Sequence, residues 1–513
     1  MRTSNLHSRT ISASSYNSIT ILEKSLLNTE PPIQISNEPP LLQEELPPIE
    51  KVDTYNILVN LLPNIFNQLM HFMVNIIFGH FLGSVNDIPL LNGVNFGIIY
   101  NNIFLYFISF GIVQGMAVFC PNSFSQKNFL LIGIQTNHVR IIVMGIFIVF
   151  FFITFFFGKH LLIFLSGSNE HFIDIAYTYV LFSEIGNFFE MYFEIHCKYC
   201  ESQLFYKPIV HTLVISIVAN FILCFFFISY FNWGAIGAAM AFNLTNMLKF
   251  LYVYFAVEYI NPYPLSNFWF KKEILDFTIF KEVFKICFMS MLITYSEYLG
   301  YALSNIFSVR LSQLSYATYN VIGNVYLITY PISLGVNNTV TILTSYFFGL
   351  KQKNNIVKSM LYIIFYSFLM NVPIWGIFTF FRKGMTRFFS ESKEIYEKND
   401  LLSLYIINSC TQIFDTLQNA LQGQLRGIEI LDILSYGTFI IFLIGMPSFN
   451  YFFAFTCGWD VKGVFASELV SYFLMFALLF YWLMYRIDLD KICAEEEEKE
   501  EDTNKIEMKE ISN

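Results

Sequence analysis

The sequence predicts an all-α membrane protein with twelve transmembrane helices, arranged in two six-helix lobes related by pseudo-two-fold symmetry. Hydrophobic residues make up 55% of the chain and charged residues only 13%, whereas a soluble domain averages about 25% charged residues. Apolar runs of about 20 residues, long enough to span a bilayer, recur along the chain. The two halves also repeat, because FCPNSFSQKN at 119–128 aligns with LTSYFFGLKQ at 343–352, 224 residues later. We therefore expect two parallel lobes.

Twelve apolar stretches mark the expected membrane spans. They run over residues 57–81, 90–119, 139–157, 172–197, 209–230, 235–257, 283–309, 316–347, 356–381, 401–421, 432–457 and 463–485. The polar connection 258–282 separates the first six spans from the last six, so we expect a first lobe at 56–257 and a second lobe at 283–486. The polar, proline-rich residues 1–55 and the acidic residues 487–513 are expected to form cytosolic tails, the first of them disordered.

Positive charges in short connections set the orientation of a membrane protein. With the N-terminus in the cytosol, the expected inner loops carry most of the lysines and arginines, including Lys127, Arg140 and Lys198. The connection 382–400, with five such residues, is the exception that this orientation places outside. We expect both chain ends in the cytosol, and a location in the plasma membrane or in a vacuolar or other organelle membrane.

Two acidic residues interrupt apolar spans near the middle of the membrane. Glu297 is the twelfth of the 24 residues Ile286–Val309, and Asp415 lies within Leu401–Leu425. A carboxylate at the bilayer centre costs about 2.5–3.5 kcal/mol, so such a residue is expected to face a cavity or a partner and to carry function. Desolvation favours the protonated form, which lets a proton compete with a cationic substrate. A structural hydrogen bond to a neighbouring group is the alternative for both acids.

Three neighbours of these acids are candidate binding residues. Gln418 follows Asp415 by three residues, on the same helical face. Tyr298 and Tyr301 offer hydroxyl groups and rings for cation–π contacts, although simple packing is the alternative for both. We assign these three residues, with Glu297 and Asp415, to a candidate site for a coupling cation and a substrate. We assign no catalytic residue, cofactor or metal ligand.

The fourth span carries a further set of acids. Glu190, Glu194 and Glu201 fall within about 40° of one another on a helical wheel, with Asn187 beside them. Glu201 lies near the cytosolic end and is expected to be solvated. Glu190 and Glu194 lie deeper, and we interpret them as a possible secondary acidic site in the first lobe that attracts cations. A wet wall of the central cavity is the alternative.

Six short motifs occur in a fixed order along the twelve spans. They are GHFLGS at 79–84, CPNSFSQKNFLLIGIQ at 120–135, YCESQLFYKP at 199–208, WGAIGAAMA at 233–241, YSEYLGYAL at 295–303 and DTLQNALQGQLRG at 415–427. Together they resemble the motifs of the multidrug and toxic compound extrusion (MATE) family in its eukaryotic form. Two features depart from that family's pattern: Ala302 stands where a second acid often follows the first, and the span around Pro63 contains no acid.

The resemblance implies a secondary active transporter that exports organic cations or xenobiotics by proton- or sodium-coupled antiport and alternating access. Glu297 and Asp415 match the family's acids of spans seven and ten, in its coupling-cation and substrate region. We expect organic cations, H⁺ or Na⁺ and membrane lipids as partners, a monomer, and no enzymatic activity. The sequence has no basic stripe of the kind that binds nucleic acid.

Three other classes stay open at this point. A lipid or glycolipid flippase of the same superfamily should show a basic cavity for phosphates, whereas this sequence offers acids in mid-membrane. A membrane-bound transferase should show a cluster of His, Asp or Glu at one membrane face, and the deep acids are not arranged so. A channel is the third alternative.

Overall fold

The computed structural model describes residues 52–85, 87–166, 172–260, 263, 266, 277–389, 393–397, 400–489 and 491. The expected tails and most of the expected connection between the lobes lie outside the described residues. The described part consists of helices joined by short turns, with twelve long helices in the order that the sequence predicts.

The first six long helices form the first repeat. They are α1 (Thr54–Ser84), α2 (88–125), α3 (Phe129–Ser166), α4 (Phe172–Ser202), α5 (Lys207–Tyr230) and α6 (Gly234–Ile260). A π-helical turn at Asn102–Tyr106 and a break after Gln114 interrupt α2, so this helix changes direction near its middle.

The last six long helices form the second repeat. They are α7 (Phe277–Val309), α8 (Gln313–Gly349), α9 (Lys353–Phe380), α10 (Leu401–Gly427), α11 (Asp432–Thr456) and α12 (Val461–Tyr485). Two short helices, Arg382–Phe389 and Lys393–Tyr396, connect α9 to α10. Every predicted span falls within one of these helices to within one residue. The prediction of twelve membrane-spanning helices is confirmed.

Eight of the twelve helices are long and apolar enough to cross a membrane by their own composition. The other four are α4, α7, α8 and α10, and three of them, α4, α7 and α10, hold the acids singled out in the sequence. These polar helices pack very closely against their neighbours. A Cβ atom at Gly423 of α10 would lie 2.7 Å from the carbonyl oxygen of Asn337 on α8, and one at Gly186 of α4 would lie 2.5 Å from Asn243 Oδ1 on α6. Small residues at such crossings let two backbones touch.

The contacts between the two lobes are found largely in the half of the molecule that the sequence predicts to face the cytosol. Ser345 of α8 donates its hydroxyl to the carbonyl oxygen of Val118 on α2 at 2.5 Å, and Tyr366 of α9 donates to Thr54 Oγ1 at the start of α1 at 2.9 Å. A Cβ atom at Gly335 of α8 would lie 2.8 Å from the Cα atom of Ile65. The cleft between the lobes is therefore closed at this end.

Lys198 and Glu201, near the C-terminal end of α4, form a buried ion pair at the interface between the lobes. Lys198 Nζ lies 2.8 Å from Glu201 Oε2, and the two side chains are 2% and 1% exposed. Asn338 of α8 accepts from Lys198 Nζ at 2.6 Å and donates to Glu201 Oε2 at 3.2 Å. Asn67 of α1 donates to Glu201 Oε1 at 2.8 Å. The pair therefore ties the first lobe to the second.

Three expectations about charged residues are wrong here. Glu201 is buried instead of solvated, and Lys198 and Arg140 are buried within α4 and α3 instead of lying in loops. The physical reason is that both helices continue past the apolar runs into the interface between helices. There the charges are satisfied by other side chains; Arg140 Nη1, for example, donates to Asn137 Oδ1 at 3.0 Å.

We expect Lys198→Met to lower the apparent Tm of the detergent-solubilised protein, because Glu201 then stays buried without its cation, a loss of about 3–5 kcal/mol. Changing both residues to Met should cost less, since no unpaired charge remains. Thermal unfolding followed by size-exclusion chromatography measures both. Lys159→Met is the control, because Lys159 pairs with Asp174 at 47% and 64% exposure and is expected to contribute about 0–1 kcal/mol. Equal Tm losses for Lys198→Met and Lys159→Met would contradict the buried-pair interpretation.

Candidate functional site

The two acids of the second lobe lie in its interior and are joined through α10. Glu297 of α7 is partly exposed, and its Oε1 accepts a hydrogen bond from Gln418 Nε2 at 3.2 Å. Asp415 is fully buried and accepts from the Tyr326 hydroxyl at 3.1 Å and from Asn419 Nδ2 at 2.8 Å. Because Asp415 and Gln418 are three residues apart on α10, the helix presents both to the same side. The structure thus brings Glu297, Asp415 and Gln418 together, as the sequence predicts.

Neither of these two carboxylates is held by a permanent ion pair. Among the described residues, no lysine or arginine forms an ion pair with Glu297 or Asp415. The two acids are close enough to interact electrostatically, and both face protein groups. A carboxylate without a fixed cation can exchange its positive partner, which a structural ion pair cannot do without a large energetic cost.

A seam of amides and hydroxyls between α8 and α10 supports the acids. Asn337 Nδ2 donates to Asn419 Oδ1 at 3.0 Å and to Gln422 Oε1 at 2.6 Å. Further along, Gln412 Nε2 donates to Ser333 Oγ at 2.8 Å. Buried networks of this kind fix side-chain orientations, since each lost bond leaves a polar group unsatisfied. The seam therefore holds the face of α10 that carries Asp415.

Arg426, near the C-terminal end of α10, is buried. Its side chain is only 4% exposed and donates to Thr294 Oγ1 at 3.2 Å. It lies within electrostatic range of Glu297. The close packing of Gly427 against Thr344 holds this end of α10 inside the lobe, where a Cβ atom would approach to 2.5 Å.

The two candidate tyrosines have different surroundings. The ring of Tyr298 stacks on Phe107 of α2, with centroids 3.5 Å apart, so it sits where the two lobes meet. Tyr301, one turn further along α7, lies beside Tyr319 and near Glu468. Tyr298 therefore belongs to the cleft, whereas Tyr301 belongs to the interior of the second lobe.

The possible secondary acidic site in the first lobe contains a lysine and a histidine as well as acids. Glu190 Oε1 lies 3.8 Å from Lys249 Nζ of α6 and 3.8 Å from His71 Nε2 of α1. Glu194 Oε1 lies 3.9 Å from His71 Nδ1. The Tyr106 hydroxyl of α2 is 3.1 Å from His71 Nε2. The ammonium of Lys249 offsets part of the negative charge that the sequence alone suggests.

Sequence reasoning missed two of these buried charges. Lys249 is 2% exposed in the middle of α6, and Glu468 of α12 is 5% exposed and accepts from the Tyr319 hydroxyl at 2.8 Å. A single charge inside an otherwise apolar run is the signal that could have found both. Lys249 was not singled out because it lies outside the six motifs. Glu468 was not singled out because it lies near the end of its predicted span, where a charge is usually solvated.

The described residues form twelve helices in two repeats, with acids and amides at the centre. This arrangement is that of a multi-pass membrane transporter. The family model described as MatE matches residues 63–226 and again residues 287–452. These matches begin 224 residues apart, which is the spacing of the repeat found in the sequence. The chain belongs to the multidrug and toxic compound extrusion (MATE) family, and it is an integral, multi-pass membrane protein.

Plant proteins of this family are similar in sequence along most of the chain. Protein DETOXIFICATION 22 of Arabidopsis thaliana is 22% identical over 440 residues, which cover 81% of this chain and 83% of the relative. Protein DETOXIFICATION 26 of the same organism is 23% identical over 453 residues, covering 83% and 86%. The alignment with its Protein DETOXIFICATION 49, at 25% identity, spans 38% of each chain.

Solved structures share the fold at lower identity. The crystal structure of the eukaryotic MATE transporter AtDTX14 has a TM-score of 0.76 at 16% identity, covering 88% of this chain and 98% of that one. An outward-facing multidrug resistance MATE family transporter of the MOP superfamily also has a TM-score of 0.76, at 14% identity, covering 85% and 96%. The predicted fold of twelve helices in two lobes is confirmed.

Proposed function

We propose that this MATE-family transporter exports organic cations from the cytosol in exchange for protons, through Glu297. The observation that carries the proposal is the state of this side chain. Glu297 is partly exposed in mid-membrane, has a neutral hydrogen-bond donor in Gln418, and has no ion-pair partner among the described residues. An acid in that position is expensive unless it binds a cation or a proton.

In the binding step, an organic cation pairs with the ionised carboxylate of Glu297. Tyr298 and Phe107 stack at the meeting of the lobes and can offer their faces to the same cation, a contact of about 0.5–2 kcal/mol. Asp415 is buried behind Glu297 and adds negative potential. The cation therefore binds more tightly while Glu297 is ionised.

In the release step, a proton from the exterior neutralises Glu297 and the cation leaves. Gln418 can hydrogen-bond to Glu297 in both protonation states. Its Nε2 donates to the ionised carboxylate. Its Oε1 has no partner among the described residues, so after an amide flip it can accept from the protonated carboxyl group. Only this difference in affinity between the two states can drive transport. The exchange of cation for proton supplies that difference.

The groups around the acids favour a proton over Na⁺ as the coupling ion. Asp415 already accepts from Tyr326 and Asn419, which occupy positions that a metal ion would need. Hard cations take a shell of several oxygen ligands. A proton needs only one carboxylate.

Alternating access then requires the cleft to close outside and to open inside. In this fold the two lobes rock against each other, so the cytosolic contacts of Lys198, Glu201 and Asn338 must separate when the cleft opens inward. These residues lie away from Glu297, on α4 and α8. We therefore assign them to the opening of the cytosolic side and not to substrate binding.

The alternative function with some structural support is that of a flippase of the same superfamily. The support is that four basic side chains are buried: Arg140, Lys198, Lys249 and Arg426. One solved structure of this fold, that of a MOP superfamily transporter from Pyrococcus furiosus, has a binding pocket of reverse polarity that suggests a different function. Here, however, Lys198 pairs with Glu201 and Lys249 lies beside Glu190, so these cations already have acidic neighbours. Antiport of a cation accounts better for Glu297.

Glu297→Gln should lower proton-driven uptake of tetraethylammonium into proteoliposomes by at least about tenfold, because the group that binds cation or proton is lost. The initial rate of uptake after a pH jump measures this. Asp432→Asn, an exposed acid at the start of α11, is the matched control and should leave the rate unchanged. Uptake by Glu297→Gln at the wild-type rate would refute the proposed coupling site.

Replacing Na⁺ with choline should leave tetraethylammonium uptake by the wild-type protein unchanged, whereas collapsing the pH gradient with an ionophore should abolish it. The reason is that Tyr326 and Asn419 already hydrogen-bond to Asp415, whereas a proton needs only the one carboxylate of Glu297. Uptake driven by a Na⁺ gradient at equal pH on both sides would assign Na⁺ as the coupling ion instead.

Glu190→Gln plus Glu194→Gln should slow tetraethylammonium uptake and alter its pH dependence, if the first-lobe acids form a secondary site. Both carboxylates lie close to His71 without a direct hydrogen bond, so their loss changes the charge of the cluster. Initial rates at several external pH values measure the effect. If transport and its pH profile are unchanged, the two acids only line the cavity and do not form a secondary site.

A further inference from the structure

The second lobe contains a third buried acid that the proposed transport cycle does not use. Glu468 of α12 is 5% exposed and accepts one hydrogen bond, from the Tyr319 hydroxyl of α8 at 2.8 Å. No basic side chain among the described residues forms an ion pair with it. Burying a carboxyl group with a single neutral donor is costly, and it leaves the group able to gain and lose a proton.

Glu468 lies closer to the exterior than the acids of the coupling site. It is seven residues from the outer end of α12, which is about 10 Å along the helix. Glu297 is twelve residues from the outer end of α7, about 18 Å, and Asp415 is fourteen residues from the outer end of α10, about 21 Å. A proton that enters from outside therefore reaches the level of Glu468 first.

Three tyrosines lie near Glu468 or near the acids of the coupling site. Tyr319 contacts Glu468 directly, and Tyr301, one turn from Glu297 on α7, lies beside Tyr319. Tyr472, one turn from Glu468 on α12, is within electrostatic range of all three acids. A phenol both donates and accepts a hydrogen bond, so such groups can pass a proton along a chain.

We propose that Glu468 is the carboxyl group through which protons from the exterior reach Glu297, by way of Tyr319, Tyr301 and Tyr472. This inference rests on the proposed antiport and adds to it a residue for proton delivery. Of the titratable groups on the described helices packed against α12, those that face Glu468 are Tyr319 from α8, Tyr301 from α7 and Tyr472 on its own helix.

The proton transfer is balanced without any other reactant. A proton from external water binds the carboxylate of Glu468, which becomes neutral. It then moves through the tyrosine hydroxyls and intervening water to the ionised carboxylate of Glu297. Glu468 is left ionised and accepts the next proton, so only O–H bonds form and break. Glu468 touches neither the substrate nor the cleft in this scheme, and it acts only through Glu297.

Two transport assays separate proton delivery from substrate binding. Counterflow, in which labelled tetraethylammonium exchanges with unlabelled tetraethylammonium at equal pH on both sides, needs the substrate site but no net proton movement. Uptake driven by a pH gradient needs both. We expect Glu468→Gln to keep counterflow within about twofold of wild type and to lower the proton-driven initial rate by about tenfold or more. Its solvent deuterium isotope effect should rise, because proton transfer becomes rate-limiting.

Conservative variants test the same path. Glu468→Asp keeps a carboxyl group and should restore most of the proton-driven rate. Tyr319→Phe keeps the ring but removes the hydroxyl, and it should show a smaller loss with a raised isotope effect. Glu184→Gln is the matched control, because Glu184 is an acid of the first lobe that is 3% exposed; its rate and isotope effect should equal those of wild type.

The outcomes distinguish this inference from the proposed function. If Glu297→Gln abolishes proton-driven uptake while Glu468→Gln has the wild-type rate and isotope effect, only the role of Glu468 is refuted. If Glu297→Gln keeps proton-driven uptake, the proposed function fails as well. Equal losses of counterflow and proton-driven uptake in Glu468→Gln, or equal effects in Glu184→Gln, would also refute proton delivery. Should Glu468→Gln not fold, wild-type behaviour of Tyr319→Phe would refute it.

Discussion

The structure depends on one constraint, which is that hydrocarbon offers no partner for a polar group. Eight of the twelve helices meet it by being apolar. The four helices with too many polar residues, α4, α7, α8 and α10, meet it by turning those residues towards one another. The seam in which Asn337 donates to Asn419 and Gln422 shows the result, since amides from two helices satisfy each other away from lipid.

The same constraint divides the buried charges into three kinds. Lys198 and Glu201 pair with each other on α4, and Asn338 of the second lobe hydrogen-bonds to both, so this pair joins the two lobes. Glu190 is balanced by Lys249 in the first lobe. Glu297 of the second lobe has only a neutral amide as its direct donor, and it is partly exposed. The two repeats share a fold but differ in charge, and this asymmetry is why the proposed coupling site lies in the second repeat.

Prediction from the sequence worked best where one residue differed sharply from its surroundings. Glu297 and Asp415 stand alone in apolar runs, and the structure brings them together with Gln418. It failed for charges near the ends of apolar runs. Glu201 was expected to meet water, but α4 continues into the interface between the lobes, which hydropathy does not reveal.

The sequence by itself determined the class of fold, because the number and length of apolar runs fix how many helices cross a bilayer, and the repeat fixes their division into two. It also determined which helices are polar. Only the tertiary structure decided which charge meets which partner. Lys249 beside Glu190, Asn338 between Lys198 and Glu201, and Tyr319 on Glu468 all join different helices. Such pairs depend on helix rotation and crossing, and no periodicity within a single helix encodes them.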